Sequence, residues 1–213
     1  GNALLEATAA VNLARLPLSP AEQTSALAQA GEKVRALPPS HVRATTLVSV
    51  AQLGAQAAGS TESSRRQAAA DFDEAAATAR HIGDARVLSY ALGYKGAMEE
   101  AAGRPEVALE LTRQAAQAAR QGNAAESLYR WEWQAGRLLR QLGDDDGALV
   151  AYRVAATTLD RIRPDLAAGG NGSFRTKASP VYLGVADLLI RRAERAGQGD
   201  AKQADLLEAR RTM

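Results

Sequence analysis

Small residues recur along this chain in a register of forty. Gly136, Gly143, Ala148, Tyr152 and Ala155 fall, forty residues earlier, on Gly96, Gly103, Ala108, Thr112 and Ala115. A further forty back, the last three fall on Ala68, Phe72 and Ala75, while Gln56 and Ser63 take the glycine places. A period of this length means one supersecondary unit used repeatedly, each copy burying its apolar face against the next. The unit is clearest between Tyr129 and Pro164. Trp131, Ala135, Leu138, Leu139 and Leu142 recur there at spacings of three and four, the helical period. Gly143 ends that helix, since glycine accepts the left-handed conformation without steric cost. One of Asp144, Asp145 or Asp146 caps the next helix, whose inner face carries Ala148, Tyr152 and Ala155 and which runs out before Pro164.

A small residue at Gly136, followed by Ala148, Tyr152 and Ala155, resembles the tetratricopeptide repeat. One departure stands out: Glu132 occupies the place of the consensus tryptophan, with Trp131 and Trp133 on either side. The fold expected is an all-α, right-handed α-solenoid of tetratricopeptide-like hairpins in a single domain spanning 1–213. Pairs are expected over 1–38 (degenerate), 41–82, 85–121, 124–162 and 180–213, with an irregular loop over 165–179 that holds Gly169, Gly170 and Gly172.

Local signals place the helix ends. Ser19, Pro20 and Glu22 form a capping-box start, Ser40 and Asp84 cap later helices, and Gly83, Gly103 and Gly122 mark stops. The first helix is expected to turn Leu4, Leu5, Ala7 and Val11 inward. Alanine makes up roughly a quarter of the chain and aromatics 4%, which suits closely approaching helices and argues against a sheet. No apolar run reaches membrane-spanning length. The net charge of +2 comes without Lys/Arg blocks, so nucleic acid is not the expected partner. Cysteine is absent, which excludes disulfides and thiolate metal sites. The Gly1-Asn2 start reads as a protease scar and the chain as a piece of a longer protein; bacterial cytoplasm is the default compartment.

The stretch from Leu128 to Ala193, including Gly172-Ser173-Phe174-Arg175 and the PVYLGVADLLIRRA segment from Pro180, resembles the helical region of bacterial CHAT-domain proteins. In that family tetratricopeptide repeats lie upstream of a caspase-like peptidase domain. The catalytic Cys and His it implies have no counterpart in this chain, so the resemblance implies a recognition or regulatory segment.

Catalytic constellations are lacking. His41 and His81 stand far apart without metal-ligand spacing, the three aspartates lack the alternation and distal glutamate of a calcium loop, and no Gly-x-Ser-x-Gly elbow occurs. No enzyme activity, cofactor or metal is expected. One surface remains. Arg130, Trp133, Arg137 and Arg140 share one face of the seventh helix, and their counterparts forty residues earlier are Tyr90, Gly93, Ala97 and Glu100. A tryptophan among arginines suits an extended peptide, the indole giving apolar area and the guanidinium forks gripping carboxylates. The expectation is a non-catalytic protein- or peptide-binding scaffold with Arg130, Trp133, Arg137, Arg140 and Tyr90 lining its groove. The alternative is a regulatory arm packed on the protein's own C-terminal peptidase domain. The plain competing reading leaves the arginines paired with Glu99, Glu100 or the next loop.

Overall fold

The computed structural model describes residues 3–16, 18–57, 61–168, 173–195 and 200–212, with side chains described outside 164–179. Among them ten helices follow in order: α1 (Ala3–Ala14), α2 (Pro20–Arg35), α3 (His41–Gln56), α4 (Glu62–His81), α5 (Ala85–Ala101), α6 (Pro105–Gln121), α7 (Ala125–Gln141), α8 (Asp145–Ala168), α9 (Ser173–Arg195) and α10 (Asp200–Thr212). No strand occurs among the described residues.

The regularity begins in the turns. Gly83, Gly103 and Gly143 adopt φ of 70°, 73° and 84°, and Asn123 takes the equivalent place at φ 48°. A left-handed residue thus returns every twenty positions, half the forty-residue period. Helices α5, α6 and α7 are each 17 residues long, leaving three for every turn. Gly122 is not the left-handed residue of its turn. It stands there for room, since a Cβ on it would lie 3.0 Å from the Arg86 backbone nitrogen. Asp84 and Asp144 then open the next helices, accepting from the backbone N–H of Val87 at 3.0 Å and of Gly147 at 2.8 Å.

Consecutive helices pack as antiparallel hairpins, and the hairpins stack. α1 meets α3, α3 meets α5 and α5 meets α7, whereas among the described residues the even-numbered helices meet one another mainly through side chains such as Arg35–Asp71 and Arg153–Glu208. The odd helices therefore form the tighter, inner layer of a curved stack and the even helices the outer one. This is an α-solenoid of tetratricopeptide-like hairpins. Within the hairpins, Ala148, Tyr152 and Ala155 are buried, as are Ala108, Thr112 and Ala115 and also Ala68, Phe72 and Ala75. The ring of Tyr152 lies between two glycines, Gly136 of α7 and Gly184 of α9.

Three departures from the sequence expectation have local causes. In the pair over 41–82 the small residue at the close approach is Gly54, which faces Ala68, and not Gln56. α3 ends at Gln56 and α4 begins at Glu62, two residues further apart along the chain than α5 and α6, so the register of α3 slips by two. In α1 the buried seam is Ala7, Val11 and Ala14; Leu4 and Leu5 are 41% and 65% exposed. Close packing on α2 selects the small side chains and turns the leucines out.

The loop expected over 165–179 is mostly helix, because α8 continues to Ala168 and α9 begins at Ser173. Gly169, Gly170 and Gly172 lie outside the described residues. Pro164 and Pro180 were misleading stop and start signals. A proline deletes one backbone donor and bends a helix, yet the flanking turns here are pinned by Leu159 and Val181, both buried in one cluster.

A Cβ at Gly136 would overlap the Tyr152 ring, whereas one at Gly54 would meet only Ala68 Cβ at 3.7 Å. Gly136→Ala should therefore destabilise the fold and Gly136→Leu should cost about 1–3 kcal/mol or more. Gly54→Ala should stabilise by about 0.5–1 kcal/mol through helix propensity. Thermal melts of the three variants check the contrast; equal shifts for the two alanine variants would contradict this packing.

Candidate functional site

The inner layer is locked most tightly between α5 and α7. Gly93 leaves the backbone of α5 bare, and the indole of Trp131 occupies the space its side chain would need. Trp131 Nε1 donates to Ser89 Oγ at 2.8 Å, and Ser89 and Ser127 share a hydrogen bond of 3.0 Å between their hydroxyls. Tyr94 and Tyr90 meet the indole edge-on at 5.2 and 6.1 Å and stack on each other at 5.8 Å. Below them Gln134 Nε2 donates to Thr112 Oγ1 at 2.7 Å and to the carbonyl of Gly93 at 3.3 Å. Trp131 Nε1, the hydroxyls of Ser89 and Ser127, and Gln134 Nε2 thus each have a partner, as burial demands.

One repeat later the arrangement changes. Forty residues after Gly93 stands Trp133, and the run of close inner contacts stops: α7 and α9 do not approach as α5 and α7 do. A half-buried indole stands where a bare backbone would admit the next helix. Beside it opens a cavity of about 350 Å³. Its walls are Tyr94 and Ala97 of α5, Tyr129, Trp131, Trp133, Arg130 and Arg137 of α7, and Pro180 of α9.

The arginine stripe is largely committed to partners inside the chain. Arg137 grips Glu100 with Nε and Nη2 at 3.2 and 2.8 Å and lies over the Trp133 ring at 4.3 Å. Its Nη1 is buried without a partner. Arg140 pairs with Asp187 of α9 at 2.7 Å. Arg130 is exposed and has no carboxylate partner among the described residues. Its Nε donates to the Glu126 carbonyl, and its guanidinium sits 5.5 Å from the Tyr129 ring centroid.

Of the five residues expected in the groove, Arg130, Trp133 and Arg137 line the cavity. Tyr90 stands behind Tyr94, and Arg140 clasps α9 outside the cavity. Sequence reasoning passed over Tyr94, Tyr129 and Pro180, whereas Ala97 was already a counterpart of the stripe one repeat earlier. Tyr129 was within reach, since it precedes Trp133 and Arg137 at steps of four; Pro180 depends on how α9 is placed.

Glu132, in the place of the consensus tryptophan, turns to the outer layer. It is buried and bonds to Arg120 of α6, whose side chain is 53% exposed. Burial raises its pKa above the ordinary value despite the pull of Arg120. Folding thus takes up a proton on Glu132 just above the usual glutamate range, and its contribution to stability falls as pH rises through that window. Glu132→Gln removes this dependence and returns a mostly solvated Arg120 to water. The variant's melting temperature relative to the native chain should rise between about pH 4 and about pH 7. A difference that is flat, or falls with pH, would mean that the ion pair outweighs its burial.

Comparison with known proteins bears on the fold. The chain is similar to the crystal structure of BtubC (BKLC) from P. vanneervenii, with a TM-score of 0.64 at 13% identity over 91% of this chain and 72% of that one. It is also similar to the nearly identical TPR-like repeats of a putative kinesin light chain from Podosopora anserina, with a TM-score of 0.57 at 13% identity over 96% and 93%. No family model matches the sequence. No curated protein matches it either. At this identity the likeness is one of architecture: a tetratricopeptide-like solenoid.

Proposed function

We propose that this chain is a non-catalytic scaffold that binds a protein segment or peptide in the groove framed by α5, α7 and α9. One observation carries the reading. On the inner layer Trp133 stands where α5 has Gly93, and beside it lies an aromatic-walled cavity with an uncommitted cation, Arg130, at its edge. Such a cavity takes one apolar anchor side chain, the usual source of most binding energy in a peptide site. Arg130 then accommodates a single carboxylate near that anchor. A run of acids is not required, because Arg137 and Arg140 already hold Glu100 and Asp187.

A peptide selected from a display library against this chain should carry an apolar anchor and one adjacent acid. Calorimetric titration should show Trp133→Ala weakening it by about 1–3 kcal/mol. Arg130→Ala should cost less, about 0.5–1 kcal/mol, and should remove most of a shallow salt dependence. In thermal melts Trp133→Ala should cost less than Trp131→Ala, for which about 3–5 kcal/mol is expected of a buried tryptophan. Binding untouched by Trp133→Ala would overturn the groove.

A second reading, a regulatory arm packed on a downstream caspase-like domain, draws on Leu206 and Leu207, which α10 leaves 43% and 55% exposed. In that case a longer chain carrying such a domain should bind the selected peptide more weakly than this chain does. Equal affinity would remove the second reading and leave the first standing.

A further inference from the structure

The small residue at the hairpin's close approach has three different surroundings. At Gly136 the space is taken by the Tyr152 ring, and at Gly96 it is taken by Thr112 and Gln134. A Cβ at Gly54 would meet only Ala68 Cβ, at 3.7 Å, among the described residues. The same register position is thus plugged in two hairpins and open in the one formed by α3 and α4. The opening joins a cleft of about 300 Å³ between α2 and α4, floored by α3. That size is at the lower end of small-molecule sites. Leu27, Val50 and Ala68 give it apolar walls.

Its inner end is polar. Asp71 lines the cleft with a side chain 5% exposed. Oδ1 of Asp71 accepts from Arg35 Nη2 and, at 3.0 Å, from Gln67 Nε2. Oδ2 accepts no hydrogen bond among the described residues and is not sealed off from solvent. Arg35 also lines the cleft, with Nε given to Glu74 at 2.8 Å. Its Nη1, beside Gly31, has no partner among the described residues. Arg43 also holds Glu74, so the two arginines balance Asp71 and Glu74, and the end of the cleft offers one donor and one acceptor.

We propose that the α2–α4 cleft is a binding site for a small uncharged molecule with a compact apolar body and an amide-type edge. The carbonyl of that edge accepts from Arg35 Nη1, its N–H donates to Asp71 Oδ2, and the body lies against Leu27, Val50 and Ala68. A net charge on the ligand is disfavoured, because the ion pair at the end of the cleft is already balanced. This site is separate from the α5–α7–α9 groove and does not depend on it.

Benzamide is a suitable probe, with toluene as the matched molecule lacking the polar edge. Titration into the ¹⁵N-labelled chain should move the backbone resonances of Val50, Gly54 and Ala68 saturably, with an affinity in roughly the millimolar range for so small a ligand. Toluene should bind at least about tenfold more weakly. Ala28→Leu, at an exposed position on the rim, should weaken benzamide by about tenfold or more without disturbing the fold, and Gly54→Leu should do the same from the floor. Trp133→Ala should leave the titration unchanged. The proposal is overturned if those resonances do not move up to the solubility of benzamide, if toluene binds as well, or if both filled variants bind as the native chain does.

Discussion

The inner layer depends on whether one helix can lay its backbone against the next. Between α5 and α7 it can, because Gly93 exposes bare backbone and Trp131 fills the space with both its area and its N–H satisfied by Ser89. The contact is aromatic and hydrogen-bonded, a combination that tolerates little displacement. One repeat on, Trp133 occupies the place of Gly93, and α7 and α9 meet through side chains such as Arg140 and Asp187 with less backbone contact than α5 and α7 among the described residues. The cavity lies beside that exchange in an otherwise repetitive stack. In a solenoid, where each unit touches only its neighbours, such a change acts locally and leaves the remaining hairpins intact.

Charge follows a similar logic across both layers. Four deeply buried acids each meet an arginine: Asp71 with Arg35, Glu99 with Arg104, Glu132 with Arg120 and Asp205 with Arg192. In these pairs the arginine keeps at least a third of its side chain in solvent while the carboxylate is buried. An arginine stem covers apolar surface as its head reaches the acid. Burial still raises Asp71 and Glu132 above their ordinary pKa, while the two hydrogen bonds from Arg192 hold Asp205 below its own. The alanine-rich seams make this necessary. Helices that approach through Ala and Gly leave long polar side chains at their edges as the remaining space-fillers.

Much of the fold was legible in the sequence because repetition supplies its own control. Gly136, Ala148, Tyr152 and Ala155 gain their meaning from Gly96, Ala108, Thr112 and Ala115, and the turns follow from Gly83, Gly103 and Gly143. What escaped was whatever breaks the register or reads as a local stop. The two-residue extension after α3 moved the small residue from position 56 to Gly54. Pro164 and Pro180 looked like boundaries, yet the helices run past them, with Leu159 and Val181 buried in one cluster. Leu4 and Leu5 looked like core because leucine usually is, but the seam beneath them accepts only alanine and valine. At the candidate site the face of α7 was readable from spacing alone. That Arg137 and Arg140 are already paired was not, since their partners Glu100 and Asp187 come from other helices.

The central claim is that Trp133 holds α9 away from α7. The chain has no cysteine, so spin labels on cysteines introduced at exposed Gln141 of α7 and Leu183 of α9 report one unambiguous distance. That distance should be measured by electron–electron double resonance in the native background and in Trp133→Gly. With Trp133 as the prop, the glycine variant should show a shorter, narrower α7–α9 distribution, as the helices close toward the geometry of α5 and α7. An unchanged distance would contradict the account and place the cause of the groove elsewhere, in the course of α9 itself.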